Sequence, residues 1–350
     1  MSTASTATAP PVFVTGAAGF IGSHVVEEFL RAGRRVRALV HYSSESRLGH
    51  LAAAVESLLA AGSPSALPEV GANAFGIGPL EVVYGDVVDA AQMRAAVRGC
   101  GAVCHLAALI GIPYSYSAVA SYVDVNVRGT MHLLDAAREA GVQRFVHTST
   151  SEVYGTAQSV PIRLDHPLVA QSPYAATKIA ADQLALSYAR SFELPVTVVR
   201  PFNTFGPRQS QRAVIPTIIA QALTGERVRL GNTDAVRDFT FVVDTARAFA
   251  LAADAALPMA ATVQLGTGRG VRIGEVVEVV AAIVGRRLEV AADPTRVRPT
   301  ASEVERLIAD PSSAREVLGW SPRVGFEAGV RQTIEWMRAR GSAVGDLYHV

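Results

Sequence analysis

Tyr174 and Lys178 stand four residues apart in the segment SPYAATK. Residues at that spacing share one face of a helix. Ser172 is placed to cap that helix, and Pro173 suits its first position, where a missing N–H costs nothing. An ammonium beside a phenol favours the phenolate. Lys178 is therefore expected to pull Tyr174 below its usual pKa of about 10, towards a base that works near neutral pH. The same spacing also suits a plain surface pair on an amphipathic helix. Upstream, RFVHTST alternates like a strand and then turns polar. Thr150, Ser151 and Glu152 thus bring two hydroxyls and a carboxylate to a strand end.

The elements that must hold these groups are legible along the chain. A short apolar strand at 11–15 runs into GAAGFIG, residues Gly16 to Gly22, and a helical pattern follows. Gly16, Gly19 and Gly22, with Phe20 and Ile21 between them, let backbone N–H groups approach a pyrophosphate at the helix N-terminus. Strand, glycine loop and helix in that order are the context that nucleotide binding needs. Further strands are expected at 35–41, 80–84, 102–106, 143–148 and 196–200, with helices at 90–99, 119–140 and 173–192. Alternating strands and helices predict an α/β fold, a parallel, doubly wound Rossmann sheet with right-handed crossovers. The dinucleotide domain is expected over 11–205, with its sheet completed by about 237–268. Residues 206–236 and 269–340 read as a smaller α+β substrate-binding region, with helices at 214–224, 274–285, 312–318 and 329–340 and a short strand at 228–230.

Two stretches fall outside that pattern. Residues 1–10 are small and polar and read as a disordered tail, not a signal peptide. Residues 43–79 read as an insertion: a helix over 47–61, then an irregular run rich in Gly, Pro, Ser and Ala. It is expected to fold over the adenosine end of the cofactor. Asp86, after the third strand, is placed either to accept from an adenine amine or to cap the next helix. Ala107 and Ala108, after the fourth strand, leave room for a cofactor.

Composition narrows the class. The 350 residues suffice for a large core. A net charge of +1 gives no bulk electrostatic case for nucleic acid or an anionic membrane. No apolar run reaches the length of about 20 residues that spans a bilayer, so a cytoplasmic protein is expected. Cys100 and Cys104, beside His105, fall short of a four-ligand set, and no metal is expected.

The pieces together resemble a known family. VTGAAGFIGSHVVEEFL, YGDV, HLAA, NVRGT, TSTSEVYG, SPYAATK, RPFNTFGPR and RDFTFVVD occur in the order of the extended short-chain dehydrogenases/reductases, NAD-dependent epimerase/dehydratase group. The resemblance covers about residues 11–336. Thr-Ser-Glu at 150–152 resembles the sugar-nucleotide 4,6-dehydratases, where 4-epimerases carry a small or hydroxyl residue in place of Glu152. It implies that Tyr174, helped by Lys178, takes the sugar 4-hydroxyl proton while hydride leaves C4 for the nicotinamide. Glu152 would remove the C5 proton and, with Ser151, protonate the leaving 6-hydroxyl. Thr150 would hydrogen-bond the reacting oxygen. Ser151 stands where other dehydratases place Asp. LAALIGIPYSY, RPFNTFGPRQSQRAVIPTII and RPTASEVERLIAD resemble the UDP-N-acetylglucosamine 4,6-dehydratases of the legionaminic-acid pathway type, which implies a UDP- or GDP-N-acetylhexosamine substrate.

The resemblance also implies binding residues. The cofactor set is Gly16, Gly19, Phe20, Ile21, Gly22, His41, Ser43, Asp86, Val87, Leu106, Ala107, Ala108, Tyr174, Lys178 and Pro201. The substrate set is Asn203, Arg237 and Arg298, with Arg208, Val214, Ile215 and Glu303. NAD is the expected cofactor. The second strand ends in Val40-His41-Tyr42 without the acid that binds the adenosine ribose in NAD enzymes, so NADP stays open, with His41, Ser43 or Arg47 meeting its extra phosphate. A homodimer is implied, paired through helices 119–140 and 173–192. The rival readings are a 4-epimerase, a UDP-glucuronate decarboxylase, and a non-catalytic dinucleotide sensor on the same fold.

Overall fold

The computed structural model describes residues 9–43, 47–63, 65–66, 73–254, 256–296 and 302–340. β-branched runs such as Val36–His41 and Val196–Pro201 build a nine-stranded sheet. Its order is Ala260–Leu265, Val196–Pro201, Arg144–Thr148, Ala102–His105, Val12–Thr15, Val36–His41, Leu80–Gly85, Ala74–Ile77 and Ser65–Ala66. The first seven run parallel and the last two antiparallel. Strand order reverses at Val12–Thr15, flanked by Val36–His41 on one side and Ala102–His105 on the other. Such a reversal opens a crevice at the carboxyl ends of the strands. Thr15 and His105 sit at that edge.

Both faces are covered. Val25, Val26 and Phe29 of helix Phe20–Arg31 pack with Ala246 and Phe249 of helix Val242–Asp254 on one face. On the other, Met93 of Ala90–Val97, Leu133 and Leu134 of Gly129–Ala140, and Ala185 and Ala189 of Pro173–Phe192 share a second core. A third core lies outside the sheet, among helices Val214–Thr224, Ile273–Val284 and Phe326–Ala339.

Several expectations are corrected. The helix expected over 119–140 is three pieces: Val119–Tyr122, a π-type stretch Val123–Arg128, and Gly129–Ala140. The wider turn swings Asn126 inward, where it bonds both backbone groups of Leu109 and the Thr177 hydroxyl. The expected flap is largely sheet and core. Ala74–Ile77 turns back on Leu80–Val83, and Leu51, Ala54 and Val55 join the first core. The turn Gly49–Leu51 meets the glycine loop, through His50 N–H on the Ala18 carbonyl. Of residues 237–268, only Ala260–Leu265 completes the main sheet. Val236–Phe241 leaves it to pair with Asn203–Phe205, Gly270–Arg272 and Arg306–Leu307. The tail residues 1–8 lie outside the described residues. Among the described residues no helix is long and apolar enough to cross a membrane.

Phe29 is fully buried in the first core. Phe29→Ala is expected to cost about 3–5 kcal/mol of stability, read as a lower urea midpoint at unchanged slope.

Candidate active site

The site grows from the strand end after Thr148. Thr150, in extended backbone, caps the short turn Ser151–Tyr154 by accepting from Glu152 N–H at 3.2 Å. Ser172 caps helix Pro173–Phe192 by accepting from Ala175 N–H at 3.1 Å, with Pro173 at its first position. That helix places Tyr174 and Lys178 against the turn. Both are buried, at 7% and 3% exposure, so the surface-pair alternative falls. The Lys178 ammonium donates to the Thr148 carbonyl at 2.5 Å. Tyr122 packs edge-on to Tyr174, ring centroids 6.3 Å apart.

Tyr174 is not lowered as the spacing led one to expect. Burial raises the phenol well above its ordinary value, and the nearby charges of Glu152, Tyr122 and Asp182 add to that. The hydrogen bond with Thr150 opposes the rise without cancelling it. Burial also pushes Lys178 down to about 8, held up only by Asp182. Desolvation is the largest cause of both shifts because both groups are buried.

Behind the pair lies a buried polar layer that motif spacing had not revealed. Asp182, wholly buried, accepts from Ser149 Oγ at 2.7 Å and from Arg200 Nε and Nη2 at 3.2 and 3.1 Å. Arg200 Nη1 donates to the Tyr154 hydroxyl at 2.8 Å. Thr15 Oγ1 contacts His105 Nδ1 at 2.8 Å and accepts from the N–H groups of Leu106 and Ala107. The signal was present: Asp182 follows Lys178 at the same helical spacing as Lys178 follows Tyr174, so all three share a face.

The glycine loop fits a diphosphate. Gly16 takes a positive φ of 67°, and a Cβ on Gly22 would fall 2.1 Å from the Gly16 carbonyl oxygen. Helix Phe20–Arg31 begins at Gly19 with no side-chain cap and no acid in its first turn, so its N–H groups face outward beside the crevice. At the adenosine end His41 is exposed, with Nε2 3.2 Å from Asp86 Oδ2 across adjacent strand ends. Asp86 thus supplies a carboxylate at the edge where the second strand ends without one. Asp86 does not cap the following helix. Asp89 does, accepting from Gln92 N–H at 3.0 Å, while Asp86 accepts from Val88 N–H. Ser43 Oγ accepts from Arg47 N–H. Val87 is buried against Gly129, Ala108 lies part-buried after the fourth strand, and Pro201 ends its strand, buried.

The substrate candidates separate. Asn203 Oδ1 is buried with no hydrogen-bond partner among the described residues. Arg237, 7% exposed, donates to the carbonyls of Val236 and Glu305 and lies 3.7 Å from Glu303 Oε1. Val214 and Ile215 open helix Val214–Thr224, but the Ile215 side chain is sunk in the third core. Arg208 bonds the first helix, with Nη2 2.5 Å from Glu27 Oε1 and Nη1 3.2 Å from Ser23 Oγ. Arg298 lies outside the described residues. Cys100 and Cys104 are both buried, and burial pushes the Cys100 thiol up to about 11.

A family model described as GDP-mannose 4,6 dehydratase matches residues 13–333. The chain belongs to the NAD-dependent epimerase/dehydratase family of extended short-chain dehydrogenases/reductases. A dTDP-glucose 4,6-dehydratase from Streptomyces antibioticus is 33% identical over 328 residues, covering 93% of this chain and 92% of the relative. A UDP-glucose 4-epimerase from Mycolicibacterium smegmatis is 34% identical over 338 residues, covering 93% and 97%. The solved structure of MoeE5 in complex with UDP-glucose and NAD superposes with a TM-score of 0.79 at 35% identity, covering 95% of this chain and all of that one. This family member is therefore an NAD-dependent nucleotide-sugar enzyme of the 4,6-dehydratase/4-epimerase type. The glycine loop, Asp86, Ala107 and Lys178 are the residues that would hold the cofactor.

Burying an ion costs more than burying an apolar chain of similar length. Lys178→Met is expected to melt no lower than wild type, yet to lose at least about a hundredfold in turnover. The pH sign is fixed. The folded lysine loses its proton near 8, below its ordinary 10.5, so the folded state binds fewer protons in that window. Wild type should gain stability over Lys178→Met as pH rises through it, read by urea unfolding at each pH.

Proposed function

We propose that the protein is a nucleotide-sugar 4,6-dehydratase acting on a UDP-linked N-acetylhexosamine, with UDP-N-acetylglucosamine the first substrate to try. One observation carries the reading. Glu152, a carboxylate, sits on the turn beside Tyr174, near enough for its charge to raise the phenol. A 4-epimerase needs no carboxylate there, whereas elimination across C5 and C6 does.

NAD, when bound, supplies a hydride acceptor for C4 and returns the same hydride to C6, so no external reductant is consumed. In this proposal Tyr174 takes the 4-hydroxyl proton, with Thr150 as its hydrogen-bond partner. The 4-ketone acidifies the C5 hydrogen, and Glu152 removes that proton. Water leaves from C6 with a proton given by Glu152 or through Ser151, which is buried on the same turn. The proton returned at C5 completes the balance. Lys178 holds positive charge beside Tyr174 throughout. The Asn203 side-chain NH₂ and the Arg237 guanidinium are assigned to the nucleotide diphosphate as hydrogen-bond donors. The 4-epimerase is the second reading, favoured by the identity to the mycobacterial 4-epimerase. A homodimer through helices Val119–Tyr122 and Pro173–Phe192 is part of the proposal, supported by exposed Val119, Val123 and Phe192.

The test is incubation with UDP-N-acetylglucosamine in D₂O, followed by mass spectrometry and NMR. Loss of one water with one deuterium at C5 is the expected result. Unchanged mass with inverted C4 establishes the epimerase instead. Glu152→Gln should still reduce the nicotinamide on adding substrate but slow product formation by about 10²–10⁴-fold. Full activity in that variant removes Glu152 from the elimination. Tyr174→Phe should bind cofactor and turn nothing over.

A further inference from the structure

Of the 32 lysines and arginines in the chain, one is a lysine, Lys178. Arginine stays charged in any protein setting, whereas a lysine's charge depends on its surroundings when buried. Something must therefore hold this one charged. The next polar group on its helix face is Asp182, itself wholly buried. Asp182 is met by three side chains from two other segments. Ser149 Oγ donates from the strand end at 2.7 Å, Arg200 donates twice from strand Val196–Pro201, and His147 Nε2 lies 3.2 Å from the other carboxylate oxygen. Ser149 lies between Thr148, whose carbonyl holds Lys178, and Thr150. Arg200 reaches on to Tyr154, the last residue of the turn that carries Ser151 and Glu152.

We propose that Asp182 is a positioning residue for the Tyr174/Lys178 pair: it keeps Lys178 as the ammonium and ties the strand end and the turn bearing Thr150 and Glu152 to the same buried anchor. The groups around the lysine leave the part to Asp182. From its own helix come Tyr174 and Asp182. His105 faces it from strand Ala102–His105 and His147 from Arg144–Thr148, and burial keeps both imidazoles neutral. Tyr122 approaches the pair from its short helix and Glu152 from the turn. Arg200, behind Asp182, is a cation and repels. Burial raises the Asp182 carboxyl, but its contacts with His147, Arg200 and Ser149 outweigh that and hold it below its ordinary value.

The inference rests on Tyr174 and Lys178 handling the proton in the proposed reaction, but its first readout needs no substrate. Lysine labelled with ¹³C at Cε gives one resonance in this chain, and its pH titration is followed by NMR in the cofactor-free protein. In Asp182→Asn the lysine midpoint is expected to fall by about one pH unit or more. Because that variant leaves Arg200 buried without its carboxylate, Asp182→Asn combined with Arg200→Gln removes both charges together; loss of the repelling guanidinium offsets part of the effect, and a smaller fall is expected. An unchanged midpoint in either folded variant overturns the proposal. With turnover as the second readout, the alkaline limb of kcat should move down by the same amount while KM for the nucleotide sugar holds. A purely structural role would lower melting temperature and kcat without moving that limb. Absence of turnover on every nucleotide sugar, with the midpoint shifted as expected, would sink the dehydratase reading and leave this one standing.

Discussion

The site depends on an ammonium held out of water. Lys178 is buried at the end of the central strands, bonded to the Thr148 carbonyl and supported through space by Asp182. A buried cation is costly unless its surroundings are arranged for it. The arrangement here uses the strand end, the capped turn after it, the long helix and the neighbouring strand, joined through Asp182 and Arg200. Because one buried ion pair, Asp182 with Arg200, ties all four, the groups proposed for proton transfer share a common base. Tyr174, Thr150 and Glu152 inherit their relative positions from it.

The crevice that receives a substrate comes from a different constraint. Parallel strands need crossovers, and the reversal of order at Val12–Thr15 leaves a gap between two crossovers on opposite faces. Gly16 and Gly22 allow the loop to lie close against the first helix, and the uncapped helix start faces the gap. Beside the third core, the strand that begins at Asn203 pairs with the strand that carries Arg237. Arg208, bonded to Glu27, links that region to the first helix. The two halves of the cleft are thereby joined close to the cofactor loop.

Dehydration and epimerisation begin alike, with oxidation at C4, and a Tyr/Lys pair serves both. What separates them is whether an acid–base group reaches C5 and C6. Glu152 on its short turn is the residue on which the proposed choice turns, and relatives at 33% and 34% identity are named for either reaction. Overall likeness fixes the family and leaves the reaction to local chemistry.

The sequence by itself determined the alternating architecture, the glycine loop, the Tyr174/Lys178 spacing and the family. These rest on short-range patterns, namely periodicity, caps and motif order, which a linear chain displays directly. Tertiary structure alone decided the electrostatics. Spacing suggested that Lys178 lowers Tyr174, but both groups proved buried, and desolvation reverses that sign. It also decided the partners. Arg208, a weaker substrate candidate from the resemblance, is bonded to Glu27, and Asp86 left helix capping to Asp89. The irregular insertion became an edge hairpin because Ala74–Ile77 found an open strand edge to pair with, far from anything its own composition specifies. Each of these depends on what is adjacent in space, on burial and on long-range pairing, and none is a property of neighbouring residues along the chain.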